Sequence, residues 1–160
     1  MNARLAIAAL LVAALAACAK PPPVHRDGTF VFEDDDDFYD SATATYTRLD
    51  CGHPKGIQAH VRLSERELSA ILQDAEDADF YRLPRNVVGK DDQSGNVMPC
   101  STYALRIASG NRHNRVDWMC GYDGPTRAPK PITPLVQRIR DTLESKPEVR
   151  ALPRVGCMRL

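Results

Sequence analysis

Apolar and polar residues alternate in two stretches that meet at a turn. Tyr103, Leu105 and Ile107 take every second position in one, Val116 and Trp118 in the next, and Gly110-Asn111 lies between them. Alternation with a period of two predicts strands that are buried on one side. Gly-Asn suits a two-residue hairpin turn, where positive φ is needed. A turn at those residues pairs positions whose numbers sum to 221, so Tyr103 faces Trp118 and Leu105 faces Val116. All four side chains then share one face, which a slip of one residue would destroy. A first hairpin is predicted upstream. ATATYTRL (residues 42–49) alternates and is rich in Thr and Tyr, DCGHPKG forms the turn, and IQAHVRL (57–63) places Ile57, Ala59, Val61 and Leu63 on one face.

Between the hairpins the period changes to that of a helix. Ser64 and Glu67 have the spacing of a capping box, in which the Ser hydroxyl accepts from the Glu67 amide and the Glu side chain reaches back. Leu68, Ile71, Leu72 and Ala75 then form a stripe at i, i+3, i+4 and i+7, with Asp74, Glu76, Asp77 and Asp79 outside it. The helix is predicted to stop near Ala78, and Phe80, Tyr81 and Leu83 to enter the core before Pro84. Residues 85–99 read as a long polar loop. A second amphipathic helix covers ITPLVQRIRDTLE (132–144), with Ile132, Leu135, Val136, Ile139 and Leu143 inward, Thr133 as cap, Pro134 at the tolerated first position and Pro147 as terminator. The order strand, strand, helix, strand, strand, helix predicts an α+β fold: a small antiparallel sheet of about four strands, in two hairpins, with two amphipathic helices on one face.

Charge refines this picture. The chain of 160 residues carries 21 basic and 21 acidic groups. The balance hides an asymmetry. Asp27, Glu33, Asp34, Asp35, Asp36, Asp37 and Asp40 crowd residues 27–40, whereas residues 101–160 hold eleven basic and five acidic groups. The acidic run lacks the spaced ligands and turn glycine of a calcium loop, and blocks of like charge resist packing, so it reads as a solvated, flexible stretch. The basic half reads as a solvated face that could contact anionic lipid or glycan. Nucleic acid is not expected as a partner, because no recognition motif is present.

The N-terminus has a secretory pattern. Arg4 precedes an uninterrupted apolar run from Leu5 to Ala17, too short to span a bilayer, which needs about 20 residues. The run ends at Leu15-Ala16-Ala17-Cys18, which resembles the lipobox of bacterial lipoproteins. That resemblance implies a diacylglycerol thioether on Cys18, removal of residues 1–17 as signal peptide, and further acylation of the new N-terminus. Several acyl chains are needed for stable anchoring. Ala19 is not aspartate, which by the family's sorting pattern implies the outer membrane, facing the periplasm. Residues 18–40 would then be anchor and Pro-rich, acidic tether, with Pro21, Pro22 and Pro23 stiffening it. Residues 41–160 would be one domain.

Cys51, Cys100, Cys120 and Cys157 remain, an even number that reads as two disulfides in an oxidising compartment. Three connectivities are possible. The hairpin register brings Cys100 and Cys120 near each other at its open end, so Cys100–Cys120 is favoured, with Cys51–Cys157 as the second bridge.

From the capped helix through DADFYRLP, PCSTYALRI, VDWMC and the last helix, the chain resembles the small bacterial domains catalogued as DUF6438, over roughly residues 57–145. This resemblance implies a fold and an envelope location; no activity is attached to it. Candidate chemistry is sparse. Cys51 and His53 in CGH could form a thiol nucleophile and base. Cys51, His53, His60, His113 and Asp117 could be drawn on for a metal, without any recognised ligand spacing. Ser64 is explained by capping. The leading expectation is therefore a membrane-tethered envelope lipoprotein with no enzyme activity, no metal and no cofactor. Its partners would be the bilayer, through acylated Cys18, and an envelope protein or glycan, bound through the 85–99 loop and the tip at Tyr122 and Asp123 in the manner of small inhibitor lipoproteins. The alternative is a thiol- or metal-dependent periplasmic hydrolase using Cys51 and His53.

Overall fold

A computed structural model describes residues 27–34, 36–50, 53–87, 102–119 and 128–153. The strands are β1 (Gly28–Glu33), β2 (Asp37–Asp40), β3 (Thr45–Asp50), β4 (His53–His60), β5 (Asn86–Val87), β6 (Thr102–Ser109) and β7 (Arg112–Met119). They form one sheet in the order β4-β3-β2-β1-β6-β7-β5, antiparallel except for the parallel pair β5 and β7. The helices are α1 (Glu65–Asp77), α2 (Thr133–Glu144) and a single turn, α3 (Pro147–Arg150); a 3-10 turn covers Phe80–Arg82. The class is α+β, as expected, but the expected four-stranded antiparallel sheet with two helices is corrected to a seven-stranded mixed sheet with three.

Three strands account for the difference. β1 and β2 come from the stretch read as a solvated tether. The alternation Phe30, Phe32 is hidden there by the aspartates that follow it. Asp34 N–H donates to the Asp37 carbonyl at 2.8 Å, so the crowded acids occupy the β1–β2 turn and not the core. Phe30 and Phe32 are both buried, and β1 lies between β2 and β6 at the middle of the sheet. The third, β5, forms where a loop was expected to begin: Asn86 and Val87 pair with Asp117 and Trp118, and Val87 packs against the core.

The register of the β6–β7 hairpin is the one that the turn predicts, with Tyr103 opposite Trp118 and Leu105 opposite Val116. Gly110 has φ of 59°, as the turn requires. Extending the Leu105–Val116 row across the sheet gives Phe32, Tyr39, Tyr46 and Ala59, six strands contributing to one face. Ile71, Leu72 and Ala75 of α1 and Leu135, Val136, Ile139 and Leu143 of α2 join these residues in one buried cluster. The capping box at Ser64 and Glu67 is formed in full.

Three local expectations are corrected. Thr133 is the first residue of α2 and not its cap; its hydroxyl donates back to the carbonyls of Ala128 and Pro129. Pro147 opens α3, where its missing N–H costs nothing, and the chain places Val149 in the core. DCGHPKG is not a broad turn, because Asp50 already pairs with His53 and β4 runs on from there. The register shifts between Arg48 and Asp50, and Gly56 takes up the extra length at φ of 70°. A side chain at Gly56 would meet Thr47 Cγ2 at 2.6 Å and the Arg48 carbonyl oxygen at 2.8 Å, so both backbone and space call for glycine. Pro54, Lys55 and this bulge sit on an edge strand, where each opposes pairing with another chain.

Candidate functional site

The charge asymmetry of the sequence is resolved within the fold. Acidic residues of the first half pair with basic residues of the second. Asp34 meets Arg140 at 2.8 Å, and Glu67 takes Lys146 Nζ on both oxygens, at 2.8 and 2.7 Å. Asp74 pairs with Arg138, Glu76 pairs with Arg112, and the Arg112 guanidinium also lies over the Tyr81 ring. Part of the excess positive charge after residue 101 is therefore complementary to the first helix and first hairpin, and is not a free basic face.

Glu67 is the most constrained of these acids. Burial alone would raise its pKa, but hydrogen bonds from Lys146 and from the Ser64 amide and hydroxyl outweigh that and hold it below its ordinary value. A carboxylate with a lowered folded-state pKa stabilises the fold above its unfolded pKa of about 4.3 and loses that effect as pH falls through the folded value. Glu67→Gln is therefore expected to reduce stability by about 1 kcal/mol at pH 7, in line with the loss of a helix cap. The gap from wild type should close as pH falls below about 4. Urea melts at pH 7 and pH 3 measure both values, and an equal gap at the two would contradict the assignment.

Cys18, Cys51, Cys100, Cys120 and Cys157 lie outside the described residues, as do Tyr122, Asp123 and positions 88–99 of the expected loop. The other residues considered for chemistry do not converge. His53 is exposed and its Nδ1 is 2.7 Å from Asp50 Oδ2. His60 is at the other end of β4. His113 lies across the sheet on β7, five inter-strand steps of about 4.8 Å, or roughly 24 Å, from β4. Asp117 is held by Arg115 at 2.6 Å and Arg85 at 3.5 Å. Among the described residues no three His, Cys, Asp or Glu side chains could hold a metal ion, and no helix is long and apolar enough to cross a membrane.

The concavity that the structure does form was not anticipated. It is a cavity of about 300 Å³ between the β2–β3 turn and the segment joining β4 to α1. Tyr39, Leu63 and Leu68 give it an apolar lining, Ser41 and Thr43 supply hydroxyls, and His60 and Arg62 supply nitrogen. Its walls are tied together. Tyr39 donates its hydroxyl to the Val61 carbonyl at 2.9 Å, the Val61 amide donates to the Ala44 carbonyl at 2.8 Å, and Ser41 Oγ accepts from the Phe30 amide at 2.7 Å. Burial, with Asp40 and Glu67 nearby, pushes the Tyr39 phenol up to about 12, so it stays a neutral donor. Ala44 sits at φ of 53° and turns the chain at the rim. Arg62 Nε donates to His60 Nε2 at 3.1 Å. No periodicity marks these residues in the sequence, since they come from a turn, a strand end and a linker that only the β2–β3–β4 pairing brings together.

No family model matches the chain, and neither curated proteins nor solved structures provide a match.

Proposed function

We propose that the mature chain is an envelope lipoprotein, acylated at Cys18, whose domain acts by binding and not by catalysis. The observation that carries this reading is the Leu15-Ala16-Ala17-Cys18 junction at the end of an apolar run. The position of β1 adds to it. The sheet begins at Gly28, ten residues beyond Cys18. Fully extended, such a stretch reaches at most about 35 Å, so an acylated Cys18 would keep the domain close to the bilayer. Ala19 favours the outer membrane, on its periplasmic side. The likeness to DUF6438 domains belongs to the same proposal and has the order of elements from α1 to α2 in its favour.

Ser64 caps a helix and Asp117 is held by two arginines, so both have structural roles. One observation favours the alternative of a thiol hydrolase. The 2.7 Å contact between Asp50 and His53 is the pairing that would orient a base beside Cys51. Thiol titration of the protein purified from an oxidising compartment separates the two readings: a reactive Cys51 supports the hydrolase, and bridged cysteines leave it without a nucleophile.

The anchor is tested directly. Cells expressing the wild-type chain should incorporate radioactive fatty acid into it and hold it in the membrane fraction. Cys18→Ser should abolish both. Undiminished labelling of the variant would overturn the reading.

A further inference from the structure

We propose that the cavity beside Arg62 binds the phosphate of a phospholipid headgroup. The proposal rests on the lipid-anchored reading for its source of ligand, and on the cavity itself for its chemistry.

Arg62 carries the argument. Arg48, Arg112, Arg115, Arg138 and Arg140 each have a carboxylate partner. Arg62 instead spends its Nε–H on an imidazole, and no described carboxylate pairs with it. That bond orients the guanidinium without neutralising it. The two terminal nitrogens remain, and a planar fork of that kind matches two phosphate oxygens. Ser41 Oγ uses a lone pair for the Phe30 amide, which leaves its O–H to donate. Thr43 adds a second hydroxyl at the rim. The nearest carboxylate on the turn, Asp40, accepts from the Ala42 amide at 2.8 Å and is thereby engaged with its own backbone. Leu63 and Leu68 supply an apolar wall, as an amphiphile needs and inorganic phosphate does not. The volume of about 300 Å³ is at the small end of ligand sites, roughly 300–1,000 Å³.

Position favours a lipid as the source. Gly28 opposes Ser109 and Phe30 bonds to Ser41, so the β2–β3 turn, the end of β4 and the first residue of β1 lie at one end of the sheet. The chain from Cys18 enters at that end, which brings the cavity toward whatever surface holds the anchor.

The test uses the mature polypeptide from position 18 with Cys18→Ser, which lacks lipid but retains every described element. It should sediment with vesicles of phosphatidylglycerol, and soluble glycerol phosphate should compete. Arg62→Gln should weaken vesicle binding at least tenfold. Arg66→Gln removes the same charge from an exposed position outside the cavity and should change it less than twofold. Circular dichroism confirms that both variants are folded. Equal losses in the two variants would mean diffuse surface charge and overturn the site. Binding of glycerol phosphate without binding of vesicles would overturn the lipid source, and no binding of either would overturn the proposal. Fatty-acid labelling of the wild-type chain is scored separately, so failure of the anchor and failure of the cavity are distinguishable.

Discussion

Phe32→Ala is expected to destabilise the domain by about 3–5 kcal/mol, the range for removing a buried aromatic ring from a core. Phe32 is 2% exposed and sits on the central strand, facing Leu105 on one side and Tyr39 on the other. Its removal takes atoms from the middle of the six-strand row, where neighbours anchored in β2 and β6 cannot collapse into the space. For a domain of this size the midpoint of thermal unfolding should fall by roughly 10–20 °C. The same measurement on Leu49→Ala supplies the contrast. Leu49 is 44% exposed, and its loss should matter by no more than about 0.5 kcal/mol. If residues 27–40 were a solvated tether, Phe32→Ala would behave like Leu49→Ala. Two similar melting curves would therefore remove β1 from the core.

Trp118→Ala should cost a similar amount, about 3–5 kcal/mol, at the other side of the sheet. Trp118 is 1% exposed and its ring stacks on Tyr103, with centroids 5.7 Å apart and planes 8° from parallel. Because the rings touch, Tyr103→Ala and Trp118→Ala should not add. The double variant should be less destabilised than the sum of the singles, by 0.5 kcal/mol or more, as expected for residues in contact. Denaturant melts of the four proteins close this cycle. Strict additivity would mean that the two rings do not meet, and with that the hairpin register would fall. Trp118 is the single tryptophan of the chain, so its fluorescence reports unfolding in every variant that retains it. Wild-type emission should be that of a ring out of contact with water, and resistant to iodide.

The two variants probe parts of the molecule that differ in how readily the sequence reveals them. The hairpin containing Trp118 is legible because its determinants are local: two alternating runs and a Gly-Asn pair specify the register with no reference to the rest of the chain. The first helix is legible for the same reason, since Ser64, Glu67 and the stripe from Leu68 to Ala75 lie within twelve residues. The strand containing Phe32 is not. Its alternation is short, it is followed at once by the aspartates of a turn, and its stabilising partners are remote. Asp34 is tolerated because Arg140 is beside it, and Asp37 because Arg48 is 3.0 Å away. Without those neighbours in view, like charges argue for a solvated chain.

The same division holds for the cavity. His60 and Arg62 alternate on a strand and its extension, and by pattern alone they belong to a polar face. They become one wall of an enclosed space only when the β2–β3 turn is folded against them.

By itself the amino-acid sequence determined the α+β class, the β6–β7 register, the capped α1 and the inward stripe of α2, because periodicity and turn chemistry act over a few residues. Only the tertiary structure decided that β1 is central, that the sheet has seven strands, that the acidic first half neutralises part of the basic second half, and that Arg62 faces a cavity. Those outcomes depend on pairings between residues as far apart as Val31 and Arg106 or Glu67 and Lys146, and such pairings are chosen by burial and charge complementarity across the whole chain, not by any local pattern.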